Sequence, residues 1–447
     1  MEPQRLNQSL GCGEPQPQQL IKSFSLNEKQ NIAFKKIMDG ENLFITAPAG
    51  TGKTYLIECY RKYRSCMVER NPNNFKLIGI TSTTGVSALL INGTTLHSFL
   101  GIGLGLGSVE DTIKEVVRRK RVDVWLKLHT LIVDEISMLS PMLFDKLEEV
   151  ARVLRKSDKP FGGIQLILSG DLLQLPVVKC MDLIVDAKCW ETCIGPNVVF
   201  LDKVIRQTEA HFISVLHKVR AGIVDDTVRE LLGSCDRDEV MDGVRPTKLF
   251  CLRKDVQDHN DNELCKLKDM GERFFRFRAM FSFNNGTSEQ QQEFYKNRLD
   301  RDHNTPLDLK LCNGAQVVLT VNLNVEKGLV NGSRGVVVGL DKYPIVRFKN
   351  GLELKINPNH WDILDDHNRI IGAYVQIPLR VAFALTIHSS QGSSLDSASI
   401  DFNGTFEYGQ VYTALSRVRD SRSLTISNLD FTKIRSHPKA LKFYSIK

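Results

Sequence analysis

The feature that most constrains this chain is eight residues long: Ala47-Pro48-Ala49-Gly50-Thr51-Gly52-Lys53-Thr54. It follows a short apolar run, Leu43 to Thr46, and precedes a helical pattern that opens at Lys53. Strand, glycine-rich turn and helix in that order form a phosphate cradle. Gly50 and Gly52, with Thr51 between them, let successive backbone N–H groups wrap an oxyanion, and the helix N-terminus adds its dipole. Lys53 can neutralise β- and γ-phosphate oxygens, and the Thr54 hydroxyl can ligate Mg²⁺. Ala47 stands where the pattern has its first glycine, which a negative φ would tolerate. A plain glycine-rich turn with a solvated lysine is the bland alternative. The flanking strand and helix argue against it.

Further apolar runs repeat the arrangement. Leu77 to Ile80 leads into Thr/Ser-rich sequence, Leu131 to Val133 ends in Asp134 and Glu135, and Ile164 to Leu168 ends in Ser-Gly-Asp at 169–171. Short buried strands alternating with helices describe a parallel α/β sheet over about 25–200. Asp134 is placed to hold Mg²⁺ and Glu135 to polarise an attacking water; capping the next helix is the competing role for both. Asp171 and Gln174 could sense a γ-phosphate, though a turn at Gly170-Asp171 explains them equally well. Arg206, Gln207 and Arg417 say little singly, but hydrolysis at a domain interface needs guanidinium groups facing the phosphates.

Composition narrows the class rather than the function. The 447 residues leave room for two or three domains. The formal charge of +7 permits a nucleic acid partner without requiring one. Ten scattered cysteines lack C-x-x-C spacing and read as reduced thiols. No apolar run is long enough to span a bilayer, and the polar stretch 1–24 has neither signal- nor transit-peptide character. Beyond residue 200 the α/β texture continues, with strand patterns at Lys248 to Leu252, Ala382 to Leu385 and Ser423 to Ile426. The charged, Asn/Gln-rich stretch 271–306 reads as surface. Between Ala315 and Pro378, β-branched runs separated by Asn-Gly and Gly turns indicate a small antiparallel module.

In this order the motifs resemble the Pif1-like helicases of superfamily 1B over about residues 24–430. Leu26-Asn27-x-x-Gln30 looks like that family's adenine-reading start, with Gln30 on the base edge. Thr83 to Ala88, then Thr94-Thr95-Leu96-His97-Ser98-Phe99, is similar to its single-strand-contacting segment. Val133 to Met138 and Gly170 to Pro176 match the second and third motifs. Arg206 would be the first arginine finger, Thr386-Ile387-His388-Ser389-Ser390-Gln391-Gly392 the coupling motif, and Tyr412 to Val418 the last motif, with Arg417 the second finger. Two departures stand out: Ser390, read as replacing a family lysine, and Val177, in place of a proline.

The resemblance implies an α/β fold of tandem RecA-like P-loop domains with a small SH3-like β-barrel inserted in the second. Its expected divisions are a polar tail (1–24), domain 1A (25–200) with a short 1B wedge near 100–126, domain 2A (201–324 and 381–447) and a 2B module (325–380). The expected activity is ATP-dependent 5′–3′ DNA unwinding. Lys53, Asp134, Glu135, Gln174, Arg206 and Arg417 would be catalytic. Gln30, Gly50, Thr51, Gly52, Lys53, Thr54 and Gly392 would bind ATP, and Thr54 and Asp134 would hold Mg²⁺. Thr83, Thr95, His97, Phe99, Thr386 and His388 would meet single-stranded DNA, with duplex or forked DNA ahead of them. RNA or an RNA–DNA hybrid stays open as a substrate, and no membrane partner is expected. The run Arg118-Arg119-Lys120-Arg121 divides evenly between a solvated helix face and a phosphate contact. Rival readings are a single-strand translocase without strong unwinding, motivated by Ser390 and the short wedge, and a non-catalytic nucleic-acid-binding protein. The expected location is intracellular and soluble: nuclear in a eukaryote or an infected nucleus, otherwise cytoplasmic.

Overall fold

The computed structural model describes residues 23–70, 76–235, 246–302, 305–324, 327, 329, 332–348, 350–365, 370–395 and 397–446. The polar stretch read as a tail lies outside them apart from its last two residues.

Six parallel strands form the first sheet: β1 (Leu43–Thr46), β2 (Leu77–Ser82), β3 (Thr94–Thr95), β4 (Leu128–Asp134), β5 (Gln165–Gly170) and β6 (Val198–Phe200), in the order β3-β2-β4-β5-β1-β6. Alternate residues feed opposite faces, as the two-residue period of a strand requires. Phe44, Leu131, Val133, Leu166 and Leu168 enter one core. Leu43, Ile45, Ile132 and Ile167 enter the other. Both faces are covered, which is why these strands read as continuous apolar runs. β1, β4 and β5 lie side by side and end on one edge, so Ala47, Glu135 and Asp171 emerge together.

A second parallel sheet pairs Ala384–Thr386 with Thr247–Phe250, then Ala398–Asp401, then Leu424–Ser427. Its core includes Leu249, Ile400 and Ile426, covered by Phe212, Val215 and Val219 of the helix Ala210–Arg220. Between its strands the chain makes antiparallel structure: a five-stranded sheet from Gln316–Leu319 to Leu379–Val381, a three-stranded sheet containing Met280–Phe283, and a ribbon pairing Phe275–Arg278 with Asp308–Leu311. The stretch 271–306 is therefore more than surface. Phe-Arg-Phe-Arg at 275–278 is a period-two pattern whose half-buried phenylalanines alternate with exposed arginines. The helix Glu289–Asp302 lays Tyr295 and Leu299 against Ile363 and Tyr374.

The last helix, Pro438–Ile446, returns to the first sheet. Ala440 is buried there, and Phe443 packs beside Phe44 and Phe200. No helix among the described residues is long and apolar enough to cross a membrane.

Candidate active site

The loop after β1 has the form its glycines dictate. Gly50 and Gly52 have φ of +80° and +86°, the left-handed region that other residues occupy only with strain. Space enforces the choice as well. A Cβ on Gly50 would lie 2.7 Å from Arg206 Cβ, and one on Gly52 would lie 2.7 Å from Gln30 Nε2. Ala47 is absent from the residues with positive φ, so the missing first glycine carries no backbone strain. Gln30 completes a capping box with Asn27 at the start of the helix Glu28–Met38, and its Nε2 donates to Thr51 O at 3.3 Å. The adenine-reading candidate is thus seated against the loop. Thr51 Oγ1 donates to Pro48 O. Lys53 Nζ, at the start of the helix Lys53–Arg70, donates to Ala47 O and Pro48 O at 2.9 and 3.0 Å. Burial lowers the Lys53 pKa, opposed by the negative charges of Asp171, Glu135 and Asp134. Thr54 follows, half-buried.

Asp134 ends β4, fully enclosed. Burial and the adjacent Glu135 push its carboxyl up to about 6, against the pull of Ser169 and Lys53. Its Oδ1 completes no hydrogen bond among the described residues. A buried carboxylate oxygen without a partner is costly unless something outside the chain satisfies it. Glu135 adopts a left-handed conformation, φ 55° and ψ 45°, uncommon outside glycine and found where function imposes strain.

Glu135 is gripped from the other domain. Gln391, fully buried at the end of the short helix Ile387–Ser390, donates through Nε2 to Glu135 Oε2 (3.1 Å) and Ser137 Oγ (3.0 Å). Gly392 passes so close that a Cβ would meet Ser87 at 2.8 Å and Glu135 Oε1 at 3.3 Å. The helix Gln410–Leu415, packed on the second sheet, also reaches the phosphate loop, where Tyr412 OH accepts from Ala49 N at 2.8 Å.

Both arginine candidates lie at this seam. Arg206 Nη1 donates to Ser416 O at 2.9 Å, while its backbone N–H bonds Gly50 O. Burial, then the neighbouring Arg417, brings its pKa down to about 10, and Glu135 opposes the fall. Arg417 is buried and bonds Thr413 O, Ser393 O and Ser416 Oγ, with Gln174 Oε1 at 3.4 Å across the seam. Gln207 Nε2 ties down Ser416 O and Val418 O on either side of Arg417.

The nucleic-acid candidates form two groups. Thr83 Oγ1 donates to Glu135 O at 2.8 Å, so this segment touches the acidic motif directly. Thr95 precedes the helix Leu96–Leu100, which carries half-buried His97 and Phe99. Phe99 packs on the core against Gly79, where a Cβ would come within 2.5 Å of the ring. Thr386 caps Ile387–Ser390 by accepting from Ser389 N. His388 lies over Phe406 at 6.1 Å, with its Nε2 unpartnered among the described residues.

One sequence reading needs correction. Thr-Ile-His-x-Ser-Gln-Gly laid on Thr386–Gly392 puts the variable position at Ser389, not Ser390. Ser390 is fully buried with its hydroxyl on Ile387 O, whereas Ser389 is half-buried. Sequence reasoning also passed over Gln391, Tyr412 and Arg220. The first two lay inside quoted motifs and could have been found there; Arg220 carried no motif at all.

A phosphate loop, an acidic strand end and two arginines at the seam of two parallel sheets define a two-domain P-loop nucleoside triphosphatase. The comparisons with known proteins place it more closely. The family model "PIF1-like helicase" matches residues 25–230, and "DNA helicase Pif1, 2B domain" matches residues 294–340. "Uncharacterized protein 030L" of Invertebrate iridescent virus 6 is 45% identical over 508 aligned positions, covering 95% of each chain. The "ATP-dependent DNA helicase PIF1" of Xenopus laevis is 38% identical over 432 positions, covering 95% of this chain but 64% of that protein. Among solved structures, Pif1 helicase from Candida albicans superposes with a TM-score of 0.84 at 31% identity, over 95% of this chain and 99% of that one. Pif1 helicase from Bacteroides in complex with ADP-AlF3 and ssDNA gives 0.76 at 28% identity, over 95% and 97%. The chain belongs to the PIF1-like helicase family. It spans somewhat less than two thirds of the length of the curated PIF1 relatives.

Proposed function

We propose that the protein is an ATP-dependent DNA helicase that moves 5′ to 3′ on single-stranded DNA and opens duplex or forked DNA. The observation that carries this is the nucleotide site's dependence on both sheets: Gln391 holds Glu135 while Arg206 and Arg417 close the opposite wall. A site assembled from two domains changes whenever they move, which is what converts hydrolysis into stepping. The activity named for the Xenopus relative and the Bacteroides complex with nucleotide and single strand support ATP and DNA as the ligands. The polarity rests on the family resemblance, as do replication, repair and recombination as settings. Those settings place the work inside the cell, in the nucleus or cytoplasm that holds the DNA.

In this mechanism Gln30 reads the adenine edge. The N–H groups of Gly50, Thr51 and Gly52, with Lys53, hold the phosphates. Glu135 accepts the proton of the attacking water. Arg206 and Arg417 stabilise charge on the transferred phosphoryl group, with Gln174 and Gly392 completing its surroundings. Mg²⁺ fits the residues present, because Asp134 offers a buried carboxylate oxygen with no partner among the described residues and hard cations take oxygen ligands. Thr54 and Asp134 would hold it, and it would supply positive charge against the phosphates. Thr83, Thr95, His97 and Phe99 on one side, and Thr386 and His388 on the other, are the two grips on the strand. Contacts of this kind give little sequence preference.

The test is strand displacement on matched duplexes with a 5′ or a 3′ tail, with ATP and Mg²⁺. Opening confined to the 5′-tailed duplex is expected. Preference for the 3′ tail refutes the polarity, and hydrolysis without opening refutes the helicase.

A further inference from the structure

The proposed chemistry leaves one buried network unused. Asp171, immediately after β5, is fully enclosed, and its carboxylate is taken up by donors of the protein itself. It accepts Arg220 Nε at 3.0 Å and Nη2 at 2.8 Å, Leu173 N at 3.1 Å and Tyr444 OH at 3.2 Å. Arg220 ends the helix covering the second sheet, and its guanidinium lies 4.6 Å over the Tyr444 ring. Tyr444 sits on the returning C-terminal helix. Its hydroxyl donates to Asp171, accepts from Leu172 N at 3.1 Å, and lies 2.6 Å from Thr46 Oγ1. One proton and two lone pairs satisfy all three contacts when Thr46 is the donor to Tyr444.

The position of those three partners gives the network its meaning. Thr46 is the last residue of β1, immediately before the phosphate loop. Asp171 and Leu172 open the segment that ends in Gln174, which touches Arg417. The Tyr444 hydroxyl therefore pins together the two strand ends that carry the loop and Gln174. The helix holding it is itself tied to both halves of the molecule. Ser436 Oγ donates to Arg220 O at 2.6 Å, Lys439 pairs with Asp182 and Asp186, and Phe443 and Ala440 enter the first core.

We infer that Tyr444 is a positioning residue for ATP hydrolysis, and that the C-terminal helix is part of the nucleotide site rather than a trailing end. It acts through Thr46 and the Asp171–Arg220 pair. It fixes the phosphate loop relative to Gln174 and Arg417, an alignment that matters most in the transition state. This rests on the ATPase reading above.

The experiment compares Tyr444→Phe with Phe443→Leu. The first keeps the ring over Arg220 and removes the hydroxyl; the second loosens the same helix and leaves the hydroxyl. Steady-state ATP hydrolysis with saturating single-stranded DNA is measured well below each variant's melting temperature. For Tyr444→Phe the expected result is a kcat about tenfold lower with KM for ATP within about twofold of the wild type. For Phe443→Leu the expected result is a lower melting temperature with kcat retained. An unchanged kcat in Tyr444→Phe overturns the inference. So does an equal loss in both variants, which would make helix packing alone responsible. A wild-type protein without DNA-stimulated hydrolysis would instead overturn the ATPase reading, so the two failures are distinguishable.

Discussion

At Glu135 the backbone is in a left-handed conformation and the carboxylate is steadied by a side chain 256 residues away. These features divide its role from that of its holder. Removing the charge in Glu135→Gln removes the proton acceptor, and hydrolysis should fall by roughly 10²–10⁴-fold while ATP still binds through the phosphate loop. Gln391→Ala leaves the acceptor but frees its orientation. Its kcat should fall about tenfold with little change in KM. Single-turnover hydrolysis alongside equilibrium nucleotide binding checks both, and full activity in Glu135→Gln would remove it from the mechanism. Residue identity was readable here because Asp134 and Glu135 follow an apolar strand in one contiguous stretch. Their holder was not, since a Gln in a motif gives no sign of which carboxylate it will meet.

Among elements, the junction of β5 with the helix Ala210–Arg220 shows the same limit. The strand was legible, because an apolar run is a local signal. The Asp171–Arg220 pair that joins it to the helix was not, and Asp171 looked as much like a turn residue as a sensor. Arg220 has a side chain only 14% exposed. Asp171→Asn would leave that guanidinium buried without its counter-charge, at a cost of about 3–5 kcal/mol. Thermal or urea unfolding should report a loss of that size, and a change under about 1 kcal/mol would show the pair to be incidental. Acid should act in the same direction. Arg220 holds the Asp171 carboxyl below its ordinary value despite burial. The stability it adds is therefore fully present above the unfolded value of 3.8 and is lost as pH falls below that through the depressed folded value. The wild type should lose melting temperature below about pH 4 more steeply than Asp171→Asn.

Across the whole molecule, a modest excess of +7 must serve a polyanionic partner through where the charges lie. The basic run Arg118–Arg121 is a test of this, and the structure divides it. Arg118 and Arg119 both pair with Glu115, which is 5% exposed. Lys120 has φ of +54° at the end of its helix and is exposed, and the Arg121 stem lies against Gly101. Two of the four cations are thus partly neutralised within the element, and among the described residues Lys120 and Arg121 are the two that pair with no carboxylate. On single-stranded DNA each phosphate contact contributes about 0.7 to the slope of log affinity against log salt. Replacing Lys120 and Arg121 with Gln should lower affinity and reduce that slope by up to about 1.4. Replacing Arg118 and Arg119 should instead disturb Glu115 and lower the melting temperature with less change in slope. Fluorescence anisotropy on a labelled single strand over a salt series distinguishes the two pairs. An unchanged slope for Lys120 and Arg121 would mean that the run is a solvated face and that the DNA track lies elsewhere.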